Sequence, residues 1–422
     1  MNILHISTSD IDGGAARAAY RLHKGLENFG LNSQMLVKEK SSNDRKVIAP
    51  DISLYQGMSR AKLTFDGLPL KLYPHRKSLL SIHLLPDFSS SQVAQISPDI
   101  INLHWISGAF LQIETIAKLK RPLVWTIHDM WVFTGGCHYT QECDRYLKSC
   151  GACPQLGSQK DYDLSRWVWQ RKVKSWKNLN ITLVAPSSWM ANCANSSSVF
   201  NNSEIKVIPH GLNTQVFRPI PKHIARNILN LPQDKKLILF GAVQATSDKR
   251  KGFHLLQAAL QELRKSGWKD KLELVVFGTS NQKDVVDLGF KANLLGYIHD
   301  DPYLALIYSA VDVMLVPSIQ ECFGQTASES LACGVPVVAF NATGLKDIVD
   351  HQQNGYLAKP YEVYDLATGI VWVLENDERS QKLSYSARQK AEQEFTIELQ
   401  TQRYYNLYTN ILAKNTDESI YS

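Results

Sequence analysis

Two glutamates separated by seven residues, Glu321 and Glu329, stand in a segment running from Pro317 to Val338. A buried strand is expected to end at Pro317, a loop to carry Glu321 and Gly324, and a helix to begin near Thr326. The backbone N–H groups of a loop that opens a helix attract phosphate and sugar oxygens. Gly324 lets a ligand approach the main chain closely. Glu329 is expected in the first turn of the helix, where it can accept hydrogen bonds from two neighbouring hydroxyls, such as a ribose diol. The plain alternative is a pair of glutamates that cap a helix and face solvent. Near the N-terminus, Asp12-Gly13-Gly14-Ala15 places two glycines between a strand and a helix. That arrangement admits a diphosphate at the helix N-terminus, or simply makes a tight connection. In Trp125-Thr126-Ile127-His128-Asp129, His128 closes a strand, and a side chain at the carboxyl end of a parallel strand points into the ligand crevice.

The 317–338 segment resembles the signature of the family 4 glycosyltransferases, retaining enzymes of the GT-B fold, written P-S-x-x-E-x-F-G…E-x-x-A-x-G-x-P-V-V. Glu321, Phe323-Gly324, Glu329, Ala332, Gly334 and Pro336-Val337-Val338 match it. The resemblance implies that Glu329 holds the nucleotide ribose and that Glu321 lies by the donor sugar and its diphosphate. The amides of Phe323, Gly324 and Gln325 would meet the sugar hydroxyls, and Gly13 and Gly14 the diphosphate. The backbone of Gly296-Tyr297-Ile298-His299 would pair with the uracil edge, and His128 would lie near the donor sugar. In Phe240-Gly241-Ala242…Lys249-Arg250-Lys251-Gly252, Lys251 matches a lysine that neutralises the diphosphate. The family's second cation, an arginine just after the strand glycine, is Ala242 here, so Arg250 or Lys249 is expected to replace it; a solvated basic turn is the alternative. Glu321, His128 and Lys251 form the expected catalytic set. His104, one strand earlier, reads as a structural histidine. Cys322 receives no role, because the family uses no cysteine nucleophile.

Three features compete for attention. Asp10-Ile11-Asp12 spells the D-x-D that holds a divalent metal in the other large glycosyltransferase fold, but two-domain GT-B enzymes need no metal. Cys137, Cys143, Cys150 and Cys153 cluster and end in C-x-x-C, a half-site suited to a tetrahedral structural zinc. A packed thiol cluster, or disulfides formed on oxidation, fits the looser spacing as well. Trp167, Trp169, Arg171, Lys172, Lys174 and Trp176, and a second basic-apolar stretch from Arg60 to Lys77, suit an interfacial membrane site with a lipid-linked acceptor. They suit sugar stacking or core packing equally.

Placing these groups requires a parallel α/β framework, and the hydrophobic pattern supplies one. Strands are expected at Ile3–Ser7, Gln34–Lys38, Ile100–His104, Leu123–His128 and Ile181–Ala185. In the second half they are expected at Leu237–Gly241, Leu272–Gly278, Leu294–Leu295, Val313–Pro317 and Pro336–Phe340. Helices are read at Ala15–Gly25, Phe253–Lys265, Tyr303–Ala310, Thr326–Cys333 and Asp365–Asn376, with a tyrosine-bearing helix at the end. The Pro/Gly cluster from Ile208 to Pro221 marks a linker. The expected architecture is therefore two Rossmann-like, doubly wound α/β domains: 1–208 for the acceptor, joined by the terminal helix from about 400 to 422, and 209–399 for the nucleotide-sugar donor. Their cleft would be the small-molecule site.

Composition agrees with a folded, mildly basic protein. The 422 residues are 44% hydrophobic and 20% charged, with a net charge of +6, which excludes a disordered or collagen-like chain and gives nucleic acid no support. No apolar run reaches membrane-span length and the N-terminus lacks a signal-peptide pattern, so a cytoplasmic location, peripheral on the inner membrane surface at most, is expected. The expected activity is metal-independent transfer of a hexose, first glucose from UDP-glucose, to a glycan or lipid-linked glycan in polysaccharide synthesis. The rivals are a non-catalytic sugar-nucleotide or glycan-binding protein and a sugar-nucleotide epimerase.

Overall fold

The computed structural model describes residues 1–49, 62–87, 89–201, 203–241, 248–278, 288–298 and 300–420, with side chains to Lys414. Two compact units emerge, one of residues 1–208 with the C-terminal helix from Gln400, the other of Pro209–Leu399.

The first unit is built on strands β1 (Asn2–Ser9), β2 (Asn32–Glu39), β3 (Val47–Ile48), β4 (Ile100–Leu103), β5 (Leu123–Thr126), β6 (Ile181–Ala185) and β7 (Ile205–Val207). They form one parallel sheet in the order β3-β2-β1-β4-β5-β6-β7, with Ile6 opposite both Leu36 and Leu103. Helices cover both faces, so the strands read as near-continuous apolar runs. The terminal helix Ile397–Ile420 packs Tyr404, Leu407 and Tyr408 on Ile3, Ile100 and Val124. Its two phenols stay hydrogen-bonded in that core: the Tyr408 hydroxyl accepts from the Asn102 amide at 2.7 Å, and the Tyr404 hydroxyl meets Thr126 Oγ1 at 2.8 Å.

The second unit repeats the plan with β8 (Lys236–Gly241), β9 (Leu272–Phe277), β10 (Ala292–Leu294), β11 (Val313–Val316), β12 (Val337–Phe340) and β13 (Gly355–Ala358), ordered β10-β9-β8-β11-β12-β13. Leu239 lies opposite Val275 and Met314. In each sheet the strand order reverses beside the first strand, between β1 and β4 and between β8 and β11. The carboxyl ends at such a reversal are where open α/β sheets bind ligands.

Among the described residues, ten of the thirteen strands and the expected helices are present, most of them with shifted ends. Strands β3, β7 and β13 and the helices Leu164–Trp176, Ser188–Ser196, Lys222–Ile228 and Asp377–Glu394 were not expected. β3 and β7 are short edge strands of two and three residues. Helix Asp377–Glu394 buries only Leu383, Ala387 and Ala391, a stripe too thin to stand out among its charges.

Candidate active site

In the second unit, the loop after β11 and the turn before helix Phe253–Lys265 bring three charged groups together. Glu321 Oε1 accepts from Lys251 Nζ at 2.5 Å and from Ser318 Oγ at 2.9 Å, while Oε2 lies 3.6 Å from Arg250 Nη1. Burial by itself would raise the carboxyl; Lys251, Arg250 and Ser318 outweigh it and hold Glu321 below the usual carboxylate value. The loop is pinned from the main chain as well. Glu321 N–H donates to Thr343 Oγ1 at 3.0 Å, and Gly344 N–H donates to Glu321 O at 3.0 Å.

Gly252 makes this approach possible. Its φ is +73°, and a Cβ built there would sit 1.8 Å from the Pro317 carbonyl oxygen. Only glycine lets the single turn Lys249–Lys251 lie against the end of β11. Asp248 caps that turn by accepting from Arg250 N–H at 2.9 Å. Arg250 is tied down further: its guanidinium donates to Gln320 O at 2.8 Å and to Asp248 Oδ2 at 2.9 Å. Lys249 is exposed, so of the three cations Lys251 makes the direct contact with the buried carboxylate. Ala242, where the expected arginine is missing, lies outside the described residues.

Glu329 is the fifth residue of helix Gln325–Ala332, in the second turn, which corrects its expected first-turn position. It is buried, and Oε2 accepts from the Tyr308 hydroxyl at 2.9 Å. Phe323 lies in the core against His210 and Phe395, while Gly324, at φ +109°, starts the helix without a side-chain cap, followed by Gln325 at its first position. Gly296, Tyr297 and Ile298 follow β10. The Gly296 carbonyl accepts from Gly278 N–H at 2.7 Å, and the Tyr297 side chain is exposed. His299 lies outside the described residues.

In the first unit, Gly13 (φ +92°) precedes helix Gly14–Asn28, which has no side-chain cap. Asp10 of the D-x-D is a loop organiser. Its Oδ1 accepts from Ile11 and Ser41 N–H and its Oδ2 from Ser42 N–H, at 2.9–3.0 Å. His128 follows β5 and contacts His104, the residue after β4, through Nε2 and Nδ1 at 3.1 Å. Burial is the main cause that lowers His128 to about 4, so it is neutral near pH 7. Its neighbour Asp129 is buried and ionised. Burial opposes that state, but His138 at 2.6 Å, the Trp105 indole at 2.8 Å and Trp131 N–H at 2.8 Å hold its pKa down.

Cys137, Cys143, Cys150 and Cys153 line one void of about 10 Å³ as unbridged thiols. Burial pushes Cys137 and Cys153 up, and Cys150 to about 12, although Gly135 N–H donates to Cys150 Sγ at 3.0 Å. Among the described residues, the group of metal-capable atoms within 4.8 Å of one another is His23, Glu27 and Asp44; the four sulfurs form no group that tight. That trio is an ion-pair network, with Lys24 2.5 Å from Glu27 and 3.1 Å from Asp44.

The Trp-rich stretch is helix Leu164–Trp176, which turns Val168, Lys172 and Trp176 inward. Arg171 is paired with Glu114 at 2.7 Å and donates to the Ile82 and His83 carbonyls. The Arg60–Lys77 stretch, described from Lys62 onward, exposes Leu63, Phe65, Leu68 and Leu72. No described helix is long and apolar enough to cross a membrane.

Sequence reading missed Ser318, Thr343, Tyr308, Asp129, His138 and the contact made by His104. Asp129 and His138 flank residues already singled out, which was the available signal. Tyr308 carried none.

Two family models match the chain, "Glycosyltransferase Family 4" over residues 12–216 and "Glycosyl transferases group 1" over residues 221–390. A D-inositol 3-phosphate glycosyltransferase of Thermobispora bispora is 29% identical over 336 residues, 75% of this chain and 71% of that protein. A putative colanic acid biosynthesis glycosyl transferase of Escherichia coli, WcaC, is 21% identical over 399 residues, 87% of this chain and 89% of that one. The solved structure of Anabaena Alr3699/HepE in complex with UDP and glucose matches with a TM-score of 0.67 at 19% identity, over 97% of this chain and all of the other. The two doubly wound sheets are those of the GT-B fold.

Proposed function

The chain belongs to the family 4 glycosyltransferases, and from that premise we propose that it is a retaining, metal-independent hexosyltransferase that uses UDP-glucose. Residues 209–399 would bind the donor and residues 1–208 the acceptor, a glycan or lipid-linked glycan in polysaccharide assembly. The observation that carries the reading is the Glu321–Lys251 pair at the strand-order reversal of the second unit. A part-buried ammonium there can be shared with the diphosphate, so that positive charge meets the negative charge developing on the leaving group. Arg250 supports it from the side, and the buried Glu329, held by the Tyr308 hydroxyl, is the carboxylate proposed to accept from the ribose. The amides of Phe323, Gly324 and Gln325 and the backbone of Gly296, Tyr297 and Ile298 would complete the donor site within this unit.

The acceptor hydroxyl would attack from the face that the leaving group departs, the β-phosphate taking its proton; no side chain is assigned as nucleophile. UDP and glucose in the HepE complex support the donor, and the name of WcaC supports the pathway class. The same reading gives the four-cysteine cluster a structural part, with zinc as the ion that four thiolates would take, and gives the exposed Leu63–Leu72 surface to the membrane face. Incubation with radiolabelled UDP-glucose, UDP-galactose, UDP-N-acetylglucosamine and GDP-mannose and a panel of lipid-linked glycans tests it. Transfer of glucose with retained anomeric configuration is expected. Saturable donor binding without transfer to any acceptor would favour a binding protein, and release of an altered sugar nucleotide would favour an epimerase.

A further inference from the structure

His23 is wholly buried on helix Gly14–Asn28, and Glu27 follows one turn later on the same face. The third member of the group, Asp44, comes from the segment between β2 and β3. His23 Nε2 lies 3.4 Å from Glu27 Oε2 and 3.8 Å from Asp44 Oδ2, and the three side chains are 0%, 13% and 11% exposed. Both separations are too long for an N–H···O bond. Among the described residues, His23 Nε2 has no hydrogen-bond partner.

Those separations fit a shared ion. Bonds of about 2.0–2.2 Å from a tetrahedral ion to imidazole nitrogen and carboxylate oxygen set neighbouring ligand atoms about 3.4 Å apart. The two oxygens that face Nε2 are also the two that the Lys24 ammonium bridges, at 2.5 and 3.1 Å. A cation therefore already stands at this corner. On the other oxygen of Glu27, Lys46 Nζ lies 3.0 Å from Oε1. The two lysines balance the carboxylates but leave the buried imidazole nitrogen unanswered. Their side chains are 42% and 45% exposed on flexible stems, so both can withdraw into water.

The surrounding bonds are of the kind that orients metal ligands. His23 Nδ1 meets Ser33 Oγ on β2 at 2.8 Å, which aims Nε2 at the carboxylates. Asp44 Oδ1 accepts from Lys46 N–H at 2.9 Å, and Oδ2 accepts from the Tyr20 hydroxyl at 3.2 Å. We propose that His23, Glu27 and Asp44 form a binding site for a divalent cation of the zinc and cobalt class. The ion would displace the Lys24 ammonium and fasten helix Gly14–Asn28 to the segment between β2 and β3. One imidazole nitrogen and two carboxylate oxygens suit such ions, and three protein ligands leave a fourth position for water. The proposal depends neither on the function given above nor on the four cysteines.

Cobalt(II) titration of the full-length, reduced protein tests it, because thiolate ligands add an intense near-ultraviolet charge-transfer band that nitrogen and oxygen ligands lack. Once any thiolate band is complete, a further saturable rise in visible absorption without that band is expected. Its dissociation constant should lie below the roughly 0.1–1 mM of weak oxygen-ligand sites. His23→Gln and Glu27→Gln should abolish this uptake, and Ser33→Ala should weaken it about tenfold. Lys24→Met should tighten it, because the ammonium that competes for the two oxygens is gone. Zinc added after the thiols are saturated should raise the melting temperature of the wild type and not that of His23→Gln. Thermal melts show which variants remain folded, and Lys24→Met gives a readout that changes no buried residue. No saturable uptake beyond the thiolate sites would overturn the proposal and leave the trio an ion-pair network. So would uptake unchanged in folded His23→Gln, or an affinity that Lys24→Met does not raise.

Discussion

Lys251 Nζ lies 2.5 Å from Glu321 Oε1 although the two residues are 70 positions apart in the chain. The contact joins the turn after β8 to the loop after β11, the two neighbours across which the sheet reverses its strand order. Their side chains are 18% and 12% exposed, so most of the solvent that would screen such a pair is excluded.

Removing either member leaves a charge in a dry place. Lys251→Met is expected to lower stability by about 3 kcal/mol, the usual scale for breaking a buried pair, and Glu321→Gln by somewhat less because Ser318 can still donate to it. Both should lower turnover at least about a hundredfold, as the loss of one preorganised charge does. Urea denaturation and donor turnover measure the two effects. Full activity in either variant would remove the pair from the site.

Gly252→Ala tests the backbone origin of the same contact. A methyl group 1.8 Å from the Pro317 oxygen cannot be housed without moving β11 or the turn. The expected loss is about 3 kcal/mol or more, from strain at positive φ together with overpacking. Donor binding should fall even where the protein still folds. Thermal melts and nucleotide titration check both, and a melt within a degree or two of wild type would contradict the geometry.

Acid should act on the histidines before the carboxylates. Burial keeps His5 well below the usual value of 6.5 and takes His23 and His128 to about 4 and His83 to about 3. Above pH 6.5 both folded and unfolded forms are neutral at these sites. Between 6.5 and about 4 only the unfolded chain binds the protons, so stability should fall across that window as pH is lowered. Below it, protonation of Glu321, Asp129 and Asp44, each depressed in the folded state, should remove more. Denaturation midpoints flat from pH 7 down to pH 4 would contradict the buried neutral rings.

The legible parts of this chain were those written locally. Glu321, Gly324 and Glu329 fall within the 22 residues from Pro317 to Val338, and that run pointed to a candidate site from the sequence alone. Lys251 could be named from the same pattern, but its contact needed Gly252 and the register of β8 against β11. Tyr308 lies on another helix, 21 residues before the carboxylate it meets, with nothing local to mark it. The contact between His104 and His128 required knowing that β4 and β5 are neighbours in the sheet. Helix Leu164–Trp176 was hidden by Lys172, a charged residue on its buried face that is satisfied by the Thr134 carbonyl at 2.9 Å and the Trp131 ring at 3.6 Å. A lysine there breaks the apolar rhythm on which helix recognition rests.

Metal content settles the part played by Cys137, Cys143, Cys150 and Cys153. Protein purified under reducing conditions should carry one zinc per chain, retained through dialysis and released when the thiols are blocked with an organomercurial. Cys153→Ser should lower the content and the melting temperature together. Seven freely titrating thiols with no zinc would leave the cluster as packing.

The central claim is that the 209–399 unit binds a UDP-sugar through Lys251, Glu321 and Glu329. Calorimetric titration with UDP, GDP, UDP-glucose, UDP-galactose, UDP-N-acetylglucosamine and GDP-mannose, in EDTA, tests it most directly, with Glu329→Ala as the comparison. The account predicts saturable binding of UDP and UDP-glucose that EDTA does not weaken and that Glu329→Ala weakens at least about tenfold, the scale of a lost hydrogen bond to a charged group. No binding of any nucleotide sugar, or equal binding by Glu329→Ala, would contradict it.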